Sequence, residues 1–535
     1  QQAGQGARQR GPAALRARGW YAQALLRLHT GDPRGAAAAA RAGLRILDEH
    51  STAMGATDLQ VHSAAHRAEL AELGLRIALD NGRPGRVFEW AERGRASRLL
   101  QSHIRPPDDP ELAGLLSDLR ATARDIDRLR EAGRGTTKPV QRQVVLERRI
   151  RDHCRLHRGT RNRQLPAPVS PSALSQALGD CALVEFVQLD GVLQALSLVE
   201  GRFLLRQLGP LAHILDLLER LPFALHRLAR RDGRAQARSA AMALLRATAT
   251  EVDAALLGAL PEIGDRPLVV VPTGALHSLP WSVLPSCIGR PVTVSPSATL
   301  WQSTTQRQST TQRDATSTRS ADKAGQVAVA AGPRLTGARE EAQAVAAIHQ
   351  TTALLDDAAT VEAVLASLAT VGIVHLAAHG RLSADNPLFS DLLLFDGPLV
   401  VYDLEQLAQV PHTVVLAACD SGRAVVRTGD ELLGLSATLI ARGATQLIAP
   451  VLPVPDAETA PLMVAFHRQL ADGQPPAVAL AAAQQDLGHQ ESPAIAAAAG
   501  FVCIGAGFTA PPDRSAAPDR SAAGGNGSGC SARDP

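Results

Sequence analysis

Two side chains in this sequence could form a nucleophile and its base. His379 follows the apolar run Gly372-Ile373-Val374-His375-Leu376-Ala377-Ala378 and precedes Gly380. Cys419 follows Thr413-Val414-Val415-Leu416-Ala417-Ala418 and precedes Asp420-Ser421-Gly422. A thiol is mostly protonated near neutral pH, and only the thiolate attacks well. A neighbouring imidazole can take that proton or stabilise the thiolate. Gly380 and Gly422 leave the backbone open to a substrate because neither carries a Cβ. The backbone N–H groups of Gly380 and Cys419 are candidates for an oxyanion hole. Taken singly, a Cys at a strand end is ordinarily a small buried hydrophobe, and a lone His is ordinarily structural. The pairing of the two, each after an apolar run and each close to Gly, points to chemistry.

Such residues need elements to hold them. Each run is short, apolar and bounded by polar, Gly-containing sequence, which predicts a buried strand. Strands buried on both faces belong to parallel sheets covered by helices. Ligands of open parallel sheets bind beyond the carboxyl ends of the strands. If the two strands are neighbours, imidazole and thiol emerge side by side at one rim.

The blocks around these residues resemble the CHAT domain, a family of caspase-like cysteine peptidases (clan CD) often fused to tetratricopeptide (TPR) repeats. The resemblance rests on His375-Leu376-Ala377-Ala378-His379-Gly380, on Asp385-Asn386-Pro387-Leu388-Phe389-Ser390 and on Leu392-Leu393-Leu394-Phe395-Asp396-Gly397. It continues through Leu416-Ala417-Ala418-Cys419-Asp420-Ser421-Gly422, Gly429-Asp430-Glu431-Leu432-Leu433-Gly434-Leu435, Ala441-Arg442-Gly443-Ala444 and Gly473-Gln474-Pro475-Pro476-Ala477. It implies an α/β caspase-like domain, mostly parallel sheet with helices on both faces, in which His379 is the general base and Cys419 the nucleophile. One departure is Ala449-Pro450-Val451-Leu452-Pro453-Val454, where the family usually carries Ser-Leu-Trp before its Pro-Val. That puts the shape of the nearby substrate pocket in question, not the dyad.

At 535 residues the chain exceeds one ordinary domain. Its 45% hydrophobic content is ample for cores, and with only 3% aromatics those cores must be built from Ala, Leu and Val. A net charge of +3 is too small to imply a nucleic-acid partner. No run of about 18 apolar residues predicts a membrane span, and no apolar secretory leader is visible. The chain opens on Gln1 rather than Met, which suits a piece of a longer repeat protein. Cys154, Cys181, Cys287, Cys419, Cys503 and Cys530 are scattered, without metal spacing or a disulfide framework. That usage suits a reducing cytoplasm, as a thiol nucleophile requires. The Ala- and Arg-rich composition is associated with bacterial chains of high GC content.

Residues 1–104 are expected to be TPR-like helical repeats. Helices on either side of Gly31-Asp32-Pro33, and again of Gly82-Arg83-Pro84, use Gly after one helix and Pro early in the next. Gly31 and Gly82 lie 51 residues apart, longer than the roughly 34 of a regular TPR, so the array is degenerate or these are the last members of a lost array, the plainer alternative being a simple helical bundle. The run 87–100 resembles the helix that precedes CHAT domains. Residues 105–165 read as a charged antiparallel helical hairpin and linker, helices 111–131 and 138–158. Leu112, Leu115, Leu116 and Leu119 form one apolar stripe, and Val145, Leu146 and Ile150 another. Without aromatics to stack on bases, the Arg-rich faces are solvated surfaces rather than nucleic-acid sites.

Residues 170–508 are the expected peptidase domain. It enters through a short helix at 172–178 and strands 182–187 and 192–199 about an Asp190-Gly191 hairpin turn. Residues 210–260 are helical, and Pro267–Pro272 is a buried strand. His277 is read as structural or pocket-lining. Residues 302–325 repeat Ser-Thr-Thr-Gln-Arg and have little to bury, which predicts a disordered loop. Caspase-like enzymes are often cut between their halves, and Arg307 and Arg313 are the exposed candidates there. Residues 429–441 read as a helix opened by Asp430 and Glu431, where the dipole favours negative charge. Asp420, Asp430, Glu431 and Asp456 are the candidate lining of a pocket for a basic side chain. Residues 509–535 read as a disordered tail.

The resemblance implies a cysteine endopeptidase cleaving a protein substrate, with a regulatory protein partner bound through the TPR-like helices and no metal or organic cofactor. The alternative is a catalytically silent CHAT/TPR scaffold for protein–protein interactions; the presence of both dyad residues argues against it. An acyl hydrolase would need a Gly-x-Ser-x-Gly elbow, which is missing. A zinc site from His375 and His379 fits poorly, since their spacing suits a helix and the Glu after the first His is missing.

Overall fold

A computed structural model describes residues 12–51, 64–95, 103–104, 109–156, 160–161, 168–230, 235–314, 325–381, 383, 387–417, 425–427, 431–454, 458–488 and 494–508. The first helices form two hairpins, α1 (Ala13–His29) with α2 (Pro33–Ser51) and α3 (Ala64–Asp80) with α4 (Pro84–Gly94). Gly31 and Gly82 turn the chain with φ of 78° and 60°, a left-handed region that favours Gly. Close approach of α3 to α4 is set by Gly74, where a Cβ would lie 2.1 Å from the Trp90 ring.

A two-residue strand pair, β1 (His103–Ile104) with β2 (Thr160–Arg161), flanks a third hairpin of α5 (Pro110–Glu131) and α6 (Thr137–Leu156). Leu112, Leu115, Leu116 and Leu119 are buried as their spacing predicts, and so are Leu146, Ile150 and Cys154. Val145 is not: it is 56% exposed, because the buried stripe of α6 steps 146, 150, 154 and leaves 145 on the outer face.

Helix α7 (Pro171–Leu178) leads into the meander β3 (Ala182–Leu189), β4 (Val192–Val199) and β5 (Arg202–Pro210). Asp190 and Gly191 at φ 49° and 74° make the expected tight turn. Glu200 and Gly201 at 49° and 77° make a second one that adds β5. Helices α8 (Leu211–Ala229) and α9 (Ala235–Leu256) follow, then β6 (Leu268–Val271) and β7 (Val292–Val294).

The tract expected to be a disordered loop is instead helical over its first part, in α10 (Ala298–Asp314). Its polar side chains are satisfied within the helix: the Thr304 and Thr305 hydroxyls donate to the Trp301 carbonyl at 2.8 and 2.9 Å, and Ser309 donates to Thr305 at 3.0 Å. Its start is held by Glu92 of α4, whose carboxylate accepts from the backbone N–H groups of Ala298 (2.9 Å) and Thr299 (2.7 Å). Tertiary contacts thus override weak intrinsic preference. Arg307 is half-buried on this helix rather than exposed on a loop. Residues 315–324 and the expected tail 509–535 lie outside the described residues.

The remaining elements are β8 (Val327–Ala331), α11 (Ala338–Ile348), β9 (Ala353–Leu354), α12 (Val361–Thr370), β10 (Ile373–Ala377), β11 (His379–Arg381), β12 (Asp391–Leu394), β13 (Gly397–Val400) and β14 (Thr413–Ala417). Then come β15 (Val425–Arg427), β16 (Glu431–Leu433), α13 (Leu435–Arg442), β17 (Gln446–Pro450), α14 (Thr459–Ala471), α15 (Pro476–Gly488), α16 (Ala494–Gly500) and β18 (Phe501–Gly505). One sheet runs in the order β5-β4-β3-β6-β7-β18-β17-β14-β10-β8-β9. Only the pairs β3/β4, β4/β5 and β17/β18 are antiparallel. It is a mostly parallel sheet with helices on both faces, preceded by a helical region.

Alternation along the strands splits the core. Val374 and Leu376 face a cluster shared with α5, α8, α9 and α12, whereas Ile373 and Ala377 face α11, α14 and α15. The helices α1–α4 pack on the sheet through Leu183, Leu196, Leu198, Val269 and Val271. Arg95, just past α4, is 3% exposed and pairs with the fully buried Glu185 of β3 at 2.9 Å, while also donating to the carbonyl of Phe186. The N-terminal helices are therefore locked to the sheet by charge as well as by apolar packing. Among the described residues, no helix is long and apolar enough to cross a membrane.

Candidate active site

The strand that leads to His379 and the strand that leads to Cys419 are immediate, parallel neighbours. β10 pairs with β14 in register from Ile373 opposite Thr413 to Ala377 opposite Ala417. His379 lies two residues beyond Ala377, and Cys419 is numbered two beyond Ala417. Cys419, Asp420, Asp430 and Asp456 themselves lie outside the described residues.

His379 does not sit on the tip of β10, as its sequence context predicts. The strand ends at Ala377, the chain bends at the buried Ala378, and His379 opens β11 in a separate three-stranded antiparallel sheet, β11-β12-β13. There His379 stands opposite Leu393, Gly380 opposite Leu392 and Arg381 opposite Asp391. The imidazole is half-buried, and its Nε2 lies 3.0 Å from the carbonyl oxygen of Arg334. A carbonyl only accepts, so Nε2 donates its proton there, and in the neutral ring the basic lone pair is the one on Nδ1. Sequence reasoning missed Arg334: its role is carried by a backbone oxygen, which side-chain chemistry does not advertise.

The hairpin α5–α6 packs against this small sheet. Arg120 of α5 pairs with Asp403 at 3.1 Å, and Asp403, 3% exposed, also accepts from the Val400 backbone N–H at 3.0 Å. Burial pushes the Asp403 carboxyl up, with Arg120 acting against that shift. Gly397 on β13, at φ 127°, sits where a Cβ would come within 2.9 Å of the Arg120 side chain. Between hairpin and sheet is a cavity of about 170 Å³ whose polar lining includes Asp127, Arg130, Glu147, Arg381 and Asp391. Asp391 is pushed up to about 6 by burial, with Arg381 opposing and Asp127 and Glu147 adding to the shift.

Of the expected basic-pocket residues only Glu431 falls on a described backbone. It opens β16, paired with β15, and not a helix: α13 begins at Leu435, after Gly434 at φ 133°. The turn at that Gly separates strand from helix, so a helix-dipole role for Glu431 is excluded. His277 lies half-buried on a short 3₁₀ turn, Gly274–Ser278.

His375 does not join His379. It is completely buried on the opposite side of the bend, donating from Nε2 to Glu341 of α11 at 3.0 Å. Its Nδ1 lies 3.1 Å from Nε2 of His467, whose Nδ1 lies 2.9 Å from Nε2 of His349. The four form a line, and among the described residues no group of His, Cys, Asp or Glu is arranged to hold a metal. The described cysteines are poor nucleophiles. Burial pushes Cys287 and Cys503 up to about 12 and Cys181 up to about 11.

The profile of the CHAT domain matches residues 238–506, beginning inside α9 after the meander β3–β5. No curated protein matches the chain in sequence. Among solved structures, the chain is similar to two crystal structures of the Saccharomyces cerevisiae separase–securin complex, at 9% identity with TM-scores of 0.44 and 0.47. Each similarity covers 92% of this chain and 40% of the other, so this chain spans well under half of that length. It is also similar to the Arg specific cysteine proteinase gingipain R (RGPB), at 11% identity and a TM-score of 0.36, over 56% of this chain and 76% of that one.

Proposed function

Because the chain belongs to the CHAT domain family, we propose that it is a caspase-like cysteine endopeptidase working through His379 and Cys419. The observation that carries this reading is the β10/β14 register, which matches Ala377 to Ala417 two residues before each member of the dyad. The Nε2 bond of His379 to Arg334 supports it, since it frees Nδ1 to take a proton. In this reaction the Cys419 thiolate attacks the scissile carbonyl carbon and forms a tetrahedral oxyanion. The backbone N–H groups of Gly380 and Cys419 stabilise that charge. His379 then protonates the departing amine, leaving a thioester that water, deprotonated by His379, hydrolyses.

Asp420, Asp430, Glu431 and Asp456 line the proposed pocket for a basic side chain. The helices α1–α4 recruit a protein partner or hold the peptidase idle. The test is labelling of the full chain by a thiol-reactive peptide probe. Labelling lost in Cys419→Ala and in His379→Ala, with kcat reduced by roughly 10³-fold or more, is the expected result. Equal labelling of wild type and Cys419→Ala overturns the proposal and favours a silent scaffold. Comparing new N-termini in cells carrying wild type or Cys419→Ala identifies the cleaved bond; cleavage mainly after Asp would sink the basic-pocket assignment.

A further inference from the structure

Arg334 is held at both ends by different parts of the molecule. Its carbonyl oxygen accepts from His379 Nε2 at 3.0 Å. Its guanidinium meets two carboxylates of α5, Asp127 at 3.2 Å and Glu131 at 3.3 Å. Its backbone has φ of 61°, the left-handed region that residues with a Cβ seldom adopt unless their surroundings impose it.

The surroundings here are specific. The Gly332 N–H donates to the Ala377 carbonyl at 2.7 Å, and a Cβ on Gly332 would lie 2.3 Å from the Leu393 carbonyl oxygen. The segment 332–334 is therefore fitted between the end of β10 and the strand opposite His379. Helix α5 is itself a fixed reference, tied down by the Arg120–Asp403 pair. Asp127 is 17% exposed and is shared with Arg130 at 3.8 Å. Glu131 and Arg334 are more open, at 61% and 50%.

We propose that Arg334 is a positioning residue through which the hairpin α5–α6 sets the tautomer and orientation of His379. Asp127 and Glu131 hold the guanidinium, the held side chain keeps the backbone left-handed, and that backbone aims the carbonyl at Nε2. Losing the carboxylates lets the 334 carbonyl turn away, so the proton is no longer confined to Nε2 and Nδ1 is no longer dependably basic. The hairpin is then a control surface. A partner that presents cations to Asp127 and Glu131 would loosen His379 without entering the site. The catalytic consequence rests on the peptidase reading; the tautomer consequence does not.

The experiment uses the full chain labelled with ¹⁵N-histidine, with the His379 resonances identified from His379→Gln. Wild type should show a single Nε2–H tautomer at His379. Asp127→Asn combined with Glu131→Gln should shift it towards a tautomer mixture, and Asp127→Glu should retain the wild-type spectrum. High salt, which screens exposed ion pairs, should reproduce the shift in wild type and add nothing in the double variant. With a peptide substrate, the double variant should lose roughly threefold to tenfold in kcat with KM unchanged. A His379 spectrum that neither the double variant nor salt alters overturns the proposal. Inactivity of wild type on peptides would instead refute the peptidase reading, with the tautomer measurement still decisive here.

Discussion

Nε2 of His467 lies 3.1 Å from Nδ1 of His375, and both rings are fully buried. With the Glu341 carboxylate accepting from His375, each neutral ring in the line must donate from Nε2 towards Glu341. A proton added to Nδ1 of His467 would face the Nε2–H of His349, 2.9 Å away. Burial, then His375 and His349, hold the His467 pKa well below the ordinary value. The unfolded chain, with its histidine near 6.5, therefore binds more protons below that pH, and stability falls as pH falls. The slope contributed is at most roughly 1.4 kcal/mol per pH unit. Asp391, raised to about 6, acts in the opposite sense, adding stability as pH falls through that value. Chemical denaturation of wild type and His467→Gln between about pH 5 and pH 7.5 should therefore show a flatter decline on acidification in the variant. Parallel curves would mean that the line of histidines does not govern acid stability.

Arg95 and Glu185 are 3% and 0% exposed. Removing one partner leaves a buried charge, so Arg95→Ala should cost about 3–5 kcal/mol. The helices α1–α4 should at the same time become more sensitive to limited proteolysis. Replacing both, as Arg95→Leu with Glu185→Leu, should recover much of that loss. A single variant as stable as wild type would show that the pair is not what fastens α4 to the sheet.

Gly74 faces the Trp90 ring at a distance that no Cβ could occupy. Gly74→Ala should push α3 from α4 and cost about 1–3 kcal/mol by overpacking, read as a drop in the unfolding midpoint. The same change at Gly85, with nothing within 4 Å of its would-be Cβ, is the control.

Cys154, Cys287 and Cys503 are each about 2% exposed or less, and burial keeps the latter two protonated at neutral pH. A small alkylating reagent should leave all three unmodified in the native protein and modify them in denaturant, as read by peptide mass mapping. Rapid native modification of Cys287 or Cys503 would contradict their packing.

What could be read from the sequence follows the reach of local signals. The strands at β10 and β14 were legible because apolar runs bounded by Gly or polar residues have few other uses. Asp190-Gly191 was legible because that turn demands a left-handed pair. The strand β5 was not, since most of its residues are half-buried or exposed on a sheet edge and show no clean alternation. Helix α10 was hidden for a different reason: its low-complexity side chains look solvated, and the carboxylate that starts it sits some two hundred residues away, on Glu92. Within the site, His379 carried its own signal. Arg334 carried none, because a carbonyl oxygen is common to every residue and only the fold aims it.

The strand order has a consequence for the timing of assembly. β18 lies between β7 and β17, bridging strands drawn from residues 182–294 and from residues 327–450. Until residues 501–505 have been synthesised, the two halves share no hydrogen-bonded seam, and each presents a bare edge. A chain cut short before residue 501 would carry two half-sheets with no strand between them. The order of the strands thus makes synthesis through residue 505 a precondition for a joined sheet.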